Sequence, residues 1–111
     1  VVEMASDKNY LHRVSVLYCL RDLCSTASTN DIRTVIVPAF LRAAQDRVAN
    51  IRFVTAKVLQ SLQPKIDASD SRSVVVPCLQ TLAEDSDTDV RFYAQRALRA
   101  YQKDVAMAES S

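Results

Sequence analysis

Three acid–base pairs in this chain have a spacing that could do chemistry. Asp7 and Arg13, Asp46 and Arg52, and Asp85 and Arg91 each stand six positions apart, and both columns advance by 39 residues. Carboxylate and guanidinium make the strongest side-chain hydrogen bonds, so a repeated set can form a ladder linking one unit to the next. A binding stripe is the other reading, but paired networks of this kind specify packing more often than function. Nucleophilic or acid–base catalysis is poorly provided for. His12 is the only histidine and shares its column with Ile51 and Val90, where core residues belong. Ser and Cys are present without a base and a group to orient it. Cys19, aligned with Val58 and Ala97, is expected in the core. Asp67, Asp70, Asp85, Asp87 and Asp89 lack the order of a calcium loop and its glycine. Cys19, Cys24 and Cys78 are an odd set without metal-ligand spacing. The expectation is a protein that is not an enzyme and carries no cofactor and no metal.

Composition narrows the class further. The chain has 111 residues, 49% of them hydrophobic and 24% charged, with a formal net charge of +1. A near-neutral chain offers no bulk attraction to nucleic acid or to an anionic membrane, and neither is expected as a partner. Glycine is absent, where average usage would give about eight. That removes the glycine-dependent phosphate cradles and disfavours hairpins on primed turns. Free thiols point to an intracellular protein, in the cytoplasm and with the nucleus also open. There is no run of about 18 apolar residues to cross a membrane and no signal peptide. The opening "VVEMA" reads as the end of a helix already under way, as in a piece of something longer.

The elements that would position the Asp–Arg pairs follow from the same interval. The columns His12/Ile51/Val90, Val16/Thr55/Ala94, Cys19/Val58/Ala97, Leu20/Leu59/Leu98, Leu23/Leu62/Tyr101 and Ala27/Ile66/Val105 fall on one stripe of a helix. Upstream of each turn lies a second apolar segment, residues 31–44 and 71–84, with Val37-Pro38 matching Val76-Pro77. The repeated proline predicts a bend or a late helix start. The β-branched runs 35–37 and 74–76 stop at proline and join the helical pattern, which outweighs their strand propensity. The unit is helix A, a polar turn and helix B, with Asn9, Asn50 and Asp89 expected to cap helix B. Phe53 and Phe92 lie off the main stripe and are expected to pack between units. A helical pair of this size cannot bury its apolar face alone, and stacking copies buries it. The predicted fold is all-α, an α-solenoid. Its divisions are a partial unit at 1–27, a full unit at 28–67, a last unit at 68–104 and a tail at 105–111.

The period, the paired helices, the proline in helix A and the Asp…Val-Arg step resemble HEAT repeats. The stretches "DKNYLHRVSVLYCL" (7–20), "VPAFLRAAQDRVANIRF" (37–53) and "DTDVRFYAQRAL" (87–98) resemble the last repeats of the scaffold (A) subunit family of serine/threonine protein phosphatase type 2A. The resemblance implies a non-catalytic regulatory scaffold. Its carboxy-terminal repeats would hold the phosphatase catalytic subunit through the turns between helices A and B. A regulatory B-type subunit would bind upstream repeats. By position, the resemblance implies partner contacts at Lys8, Asn9 and Tyr10, at Arg47, Val48, Ala49 and Asn50, and at Ser86, Asp87 and Thr88. Val48 and Ala49 are apolar in a polar turn, which favours a small hydrophobic contact with a partner. The competing role for Val48 is a staple over the start of helix B.

On the opposite side of helix B, Tyr93, Arg96 and Arg99 form a basic-aromatic cluster that could meet an acidic tail or loop; a solvated face is the alternative. Two other readings keep or change the class. One is a different HEAT-type adaptor, such as a transport or chromatin factor. The other is a nucleic-acid-binding helical array using Arg21, Lys57, Arg96 and Arg99, which the net charge disfavours.

Overall fold

The structure, a computed structural model, describes residues 8–109, with side chains from Tyr10 onward. It is all-helical, with no strand among the described residues. Helix α1 spans Lys8–Leu23. A single turn, α2 (Thr29–Asp31), leads into a π-helical segment Ile32–Ile36 and then α3 (Val37–Ala43). Helix α4 (Ala49–Leu62) follows and ends in the 3-10 turn Gln63–Lys65. The pattern then recurs as α5 (Ala68–Asp70), a π-helical segment Ser71–Val75, α6 (Val76–Leu82) and α7 (Thr88–Glu109). Starts at 29, 32, 37 and 49 become 68, 71, 76 and 88, a shift of 39 each time.

Local chemistry explains these boundaries. Ser28 Oγ accepts the Asp31 N–H at 3.0 Å, and Asp67 Oδ1 accepts the Asp70 N–H at 2.8 Å, so each helix A opens on a side-chain cap. Proline has no N–H and its ring crowds the carbonyl four residues back. The widened turn just before Pro38 and Pro77 answers that constraint: Val37 N–H reaches Ile32 O, and Val76 N–H reaches Ser71 O. The β-branched runs are therefore helical. Helix B begins earlier than Asn50 and Asp89 suggest. Asp87 is the residue that caps α7, accepting from the Asp89 N–H at 3.0 Å and the Val90 N–H at 3.1 Å. Val48 holds the same place before α4 without a side chain to cap.

Helix α4 lies between α1 and α7, with α3 against it and α6 against α7. It accordingly buries several sides: Ile51, Val54, Thr55, Ala56, Val58, Leu59 and Leu62. Thr55 satisfies its hydroxyl on Ile51 O at 2.8 Å. Phe40, Val75, Leu79, Val90, Ala94, Ala97 and Tyr101 complete the interior, and the Tyr101 hydroxyl donates to Leu59 O across the two helices. Burial pushes that phenol far above its ordinary range, so it stays a donor. Cys24 is buried, and Cys78 is half-buried with its thiol pushed up to about 11 by desolvation.

Two expectations are corrected. His12 and Cys19 are exposed, although their columns hold buried Ile51, Val90, Val58 and Ala97. The buried members of these columns lie on α4 and α7, each of which has a helix A packed on it. Phe92 is 51% exposed; its counterpart Phe53 does pack between helices, edge-to-face with Tyr93 at 5.0 Å. Residues 105–109 continue α7.

Ser71 is fully buried and its Oγ has no hydrogen-bond partner among the described residues. An orphaned buried hydroxyl costs about 1–3 kcal/mol. Ser71→Ala is therefore expected to raise the melting temperature by a few degrees in a thermal scan; a lower value would show that the hydroxyl is satisfied.

Candidate functional site

The turns joining helix A to helix B, residues 44–48 and 83–87, are built by the Asp–Arg columns. Asp46 Oδ1 accepts the Val48 N–H at 2.9 Å, and Asp85 Oδ1 accepts the Asp87 N–H at 2.9 Å. Each carboxylate thereby folds its own turn. The arginine six residues on closes the same turn from behind: Arg52 Nη1 donates to Asp46 O at 2.8 Å, and Arg91 Nη1 donates to Asp85 O at 2.7 Å. The other side of the guanidinium reaches forward. Arg52 pairs in two-pronged fashion with Asp85, Nε to Oδ2 at 2.7 Å and Nη2 to Oδ1 at 3.1 Å. Arg13 Nε lies 2.7 Å from Asp46 Oδ2. Arg52 thus grips two successive turns at once. Asp7 lies outside the described residues.

The electrostatics agree with this geometry. The hydrogen bond from Arg52 holds the Asp85 carboxyl below the usual carboxylate range; desolvation works against it and the Asp87 N–H adds to it. The Arg52 guanidinium is raised, first by its bond to Asp85. The pair is mostly shielded, with 17% of the Arg52 side chain and 11% of the Asp85 side chain exposed.

A second set of ion pairs runs at the opposite end of helix A, and sequence reasoning missed it. Arg33 Nε bonds Asp70 Oδ2 at 2.9 Å and Arg33 Nη2 bonds Asp67 Oδ2 at 2.8 Å. Arg72 Nη1 bonds Glu109 Oε1 at 3.0 Å. Arg33 and Arg72 stand 39 apart, and so do Asp70 and Glu109. The signal was present in the sequence, but the acid column changes from Asp to Glu and falls partly in the expected tail. Asp67 is lowered, first by the Asp70 N–H and then by Arg33.

The candidate contact residues lie as follows. The side chains of Lys8 and Asn9 lie outside those described. Tyr10 is half-buried and its hydroxyl accepts from Asn50 Nδ2, so these two tie α1 to α4. Arg47 is exposed, and no ion pair holds it among the described residues. Val48 and Ala49 are half-buried against the core. Asp87 is the cap of α7. Ser86 and Thr88 are exposed and held by Arg91, whose Nη1 donates to Ser86 O at 3.1 Å and Nη2 to Thr88 Oγ1 at 3.2 Å. The accessible groups along this edge are Arg47, Asn50, Ser86 and Thr88, on turns fixed by arginine.

Such an arrangement has the parts of a binding edge: paired helices whose junctions are rigid and whose outward side chains are small or polar. Among the described residues no group of His, Cys, Asp and Glu is placed to hold a metal ion, and no helix is long and apolar enough to cross a membrane.

No protein-family model matches the chain. It is similar to the A-type regulatory subunit of protein phosphatase PP2A from Schizosaccharomyces pombe (strain 972 / ATCC 24843), with 30% identity over 65 residues. That alignment takes in 59% of this chain and 11% of the yeast protein, so the chain spans about a tenth of the length of this curated relative. The relative is, by its name, a regulatory subunit.

The sign of the acid dependence follows from Asp85. Its folded-state pKa is depressed, so the stabilisation is full above the ordinary carboxylate value of about 3.9 and is lost as pH falls through the folded value. Arg52→Ala should lower stability at neutral pH by about 2–3 kcal/mol, since it strands a shielded carboxylate and a turn carbonyl. In paired melts at neutral pH and near pH 3, the gap between wild type and variant should narrow in acid. An unchanged gap would assign the loss to packing. Arg33→Ala, on an exposed pair, should change the melt little.

Proposed function

We propose that this chain is a stack of HEAT-type helical pairs, an α-solenoid segment with units at 28–67 and 68–104, belonging to a non-catalytic scaffold subunit of the phosphatase type 2A kind. In this reading it acts by presenting surface. Its helix A–helix B turns hold the phosphatase catalytic subunit over several small patches, and a regulatory B-type subunit binds repeats elsewhere in the scaffold. The observation that carries the reading is the arginine that grips two consecutive turns. It keeps successive turns in register, which is what one rigid partner touching several of them requires. The likeness to the yeast phosphatase regulatory protein supports the choice of client, and its limited length leaves the other HEAT-type adaptors as the second reading.

The contact set in this proposal comprises Lys8, Asn9 and Tyr10 in the first turn, Arg47 to Asn50 in the second, and Ser86 to Thr88 in the third. Arg47 is the most informative residue, because it is exposed and its replacement leaves the core alone. In a pull-down of the full chain with a phosphatase type 2A catalytic subunit, Arg47→Glu is expected to weaken capture severalfold. Val48→Asp is expected to abolish capture, with loss of helical order at the start of α4 as a measurable companion. Capture of wild type and Arg47→Glu alike would move the contact off this edge. Absence of capture by the wild type would favour another client.

A further inference from the structure

Helix B carries a second side that the turn edge does not use. On each of its three copies a cation lies over an aromatic ring. Arg21 sits 4.9 Å from the Tyr18 ring, Lys57 6.0 Å from the Phe53 ring, and Arg96 5.7 and 5.8 Å from the rings of Phe92 and Tyr93. Phe53, Tyr93 and Phe92 in turn pack edge-to-face, at 5.0 and 5.2 Å. Of the other arginines, 13, 33, 52 and 72 find carboxylates, Arg21 on this side pairs with Asp22 at 3.1 Å, and Arg42, Arg47 and Arg91 have no ion pair among the described residues. Lys57, Arg96, Arg99 and Lys103 have no ion pair among the described residues. Gln60, Phe92, Arg96 and Arg99 border a shallow open groove.

We propose that this face of α4 and α7 docks an extended acidic segment of a partner protein. Charge complementarity names the occupant. Arg96 lies within cation–π reach of two rings, and with no ion pair its N–H groups remain available to meet a carboxylate in a two-pronged bond. Half-exposed Phe92 supplies an apolar floor for a side chain between the acids. Lys57 and Arg96 stand 39 residues apart on neighbouring helices, and packed helix axes lie about 8–10 Å apart. A polyproline II segment rises about 3.1 Å per residue with three residues per turn, so acids at every third position share one side and match that step. A nucleic acid fits less well. Asp87 and Asp89 at the start of α7 lie beside Phe53 and repel any anion that reaches them, so the acids of the segment are confined to the Arg96–Arg99 end; a phosphate backbone, charged at every residue, has no uncharged stretch to lay over the aspartate end of the face. The proposal rests on the reading of the chain as an interaction scaffold and not on its phosphatase client.

The test is fluorescence anisotropy of a labelled Glu-Ala-Ser repeat peptide titrated with the full chain at low salt. Its Gln-Ala-Ser counterpart and single-stranded oligothymidylate are run alongside. The Glu peptide is expected to bind and the Gln peptide to fail. Arg96→Glu with Arg99→Glu is expected to weaken binding at least about tenfold, with the helical signal and melting temperature of wild type. Arg47→Glu is expected to bind the peptide normally, which separates this site from the turn edge. No binding of the Glu peptide, or equal binding by the folded double variant, overturns the proposal. So does oligothymidylate bound more tightly than the peptide and lost in the same variant, which would make the face a nucleic-acid site.

Discussion

An arginine side chain has two sides to its guanidinium, and at position 52 both are used. One closes the turn that ends its own helix A, on the Asp46 carbonyl; the other seizes the carboxylate that builds the next turn, on Asp85. The spacing between the two turns depends on that double engagement. Turn shape is local, set by an aspartate accepting the N–H two residues on. Turn-to-turn spacing is not local, and helix packing alone allows some sliding of one pair on the next. The forward bond removes that slack. Because the pair is largely shielded from water, loss of one partner leaves the other stranded rather than merely solvated.

The interior follows a complementary rule. The column that carries Ile51 and Val90 is buried wherever a helix A lies over it, and the same column is open at His12. A residue's place on a repeating stripe fixes the direction it faces. What it faces depends on how many copies surround it. Phe53 reaches across from α4 to Tyr93 of α7, whereas Phe92 is half exposed.

Much of this was legible from residue order alone. The interval of 39 was readable because identical Asp and Arg recur on it, and helix B because its apolar stripe is long. Two kinds of information were not. Helix starts were misplaced by two residues at Asn50 and Asp89, since several polar residues in each turn can cap and only the backbone decides which does. The outer ion pairs were missed because a Glu takes the place of an Asp at position 109 and because charged residues at the start of helix A look like ordinary solvated turn residues. The proline bend was anticipated, but its form as a widened helical turn depends on where the freed N–H groups can land. Of the contact residues, Val48 illustrates the limit: its apolar character was plain, and its half-burial against the core was not.

The two sets of ion pairs lie at opposite ends of helix A, one shielded and one bathed in water. That asymmetry has a mechanical meaning. A stack clamped firmly along one margin and loosely along the other bends most easily by opening the loose margin, as a book opens away from its spine. Dissolved salt weakens the wet clamps far more than the shielded ones. Ionic strength should therefore loosen the contacts at the outer end of helix A before it touches those that Arg52 makes at the turns.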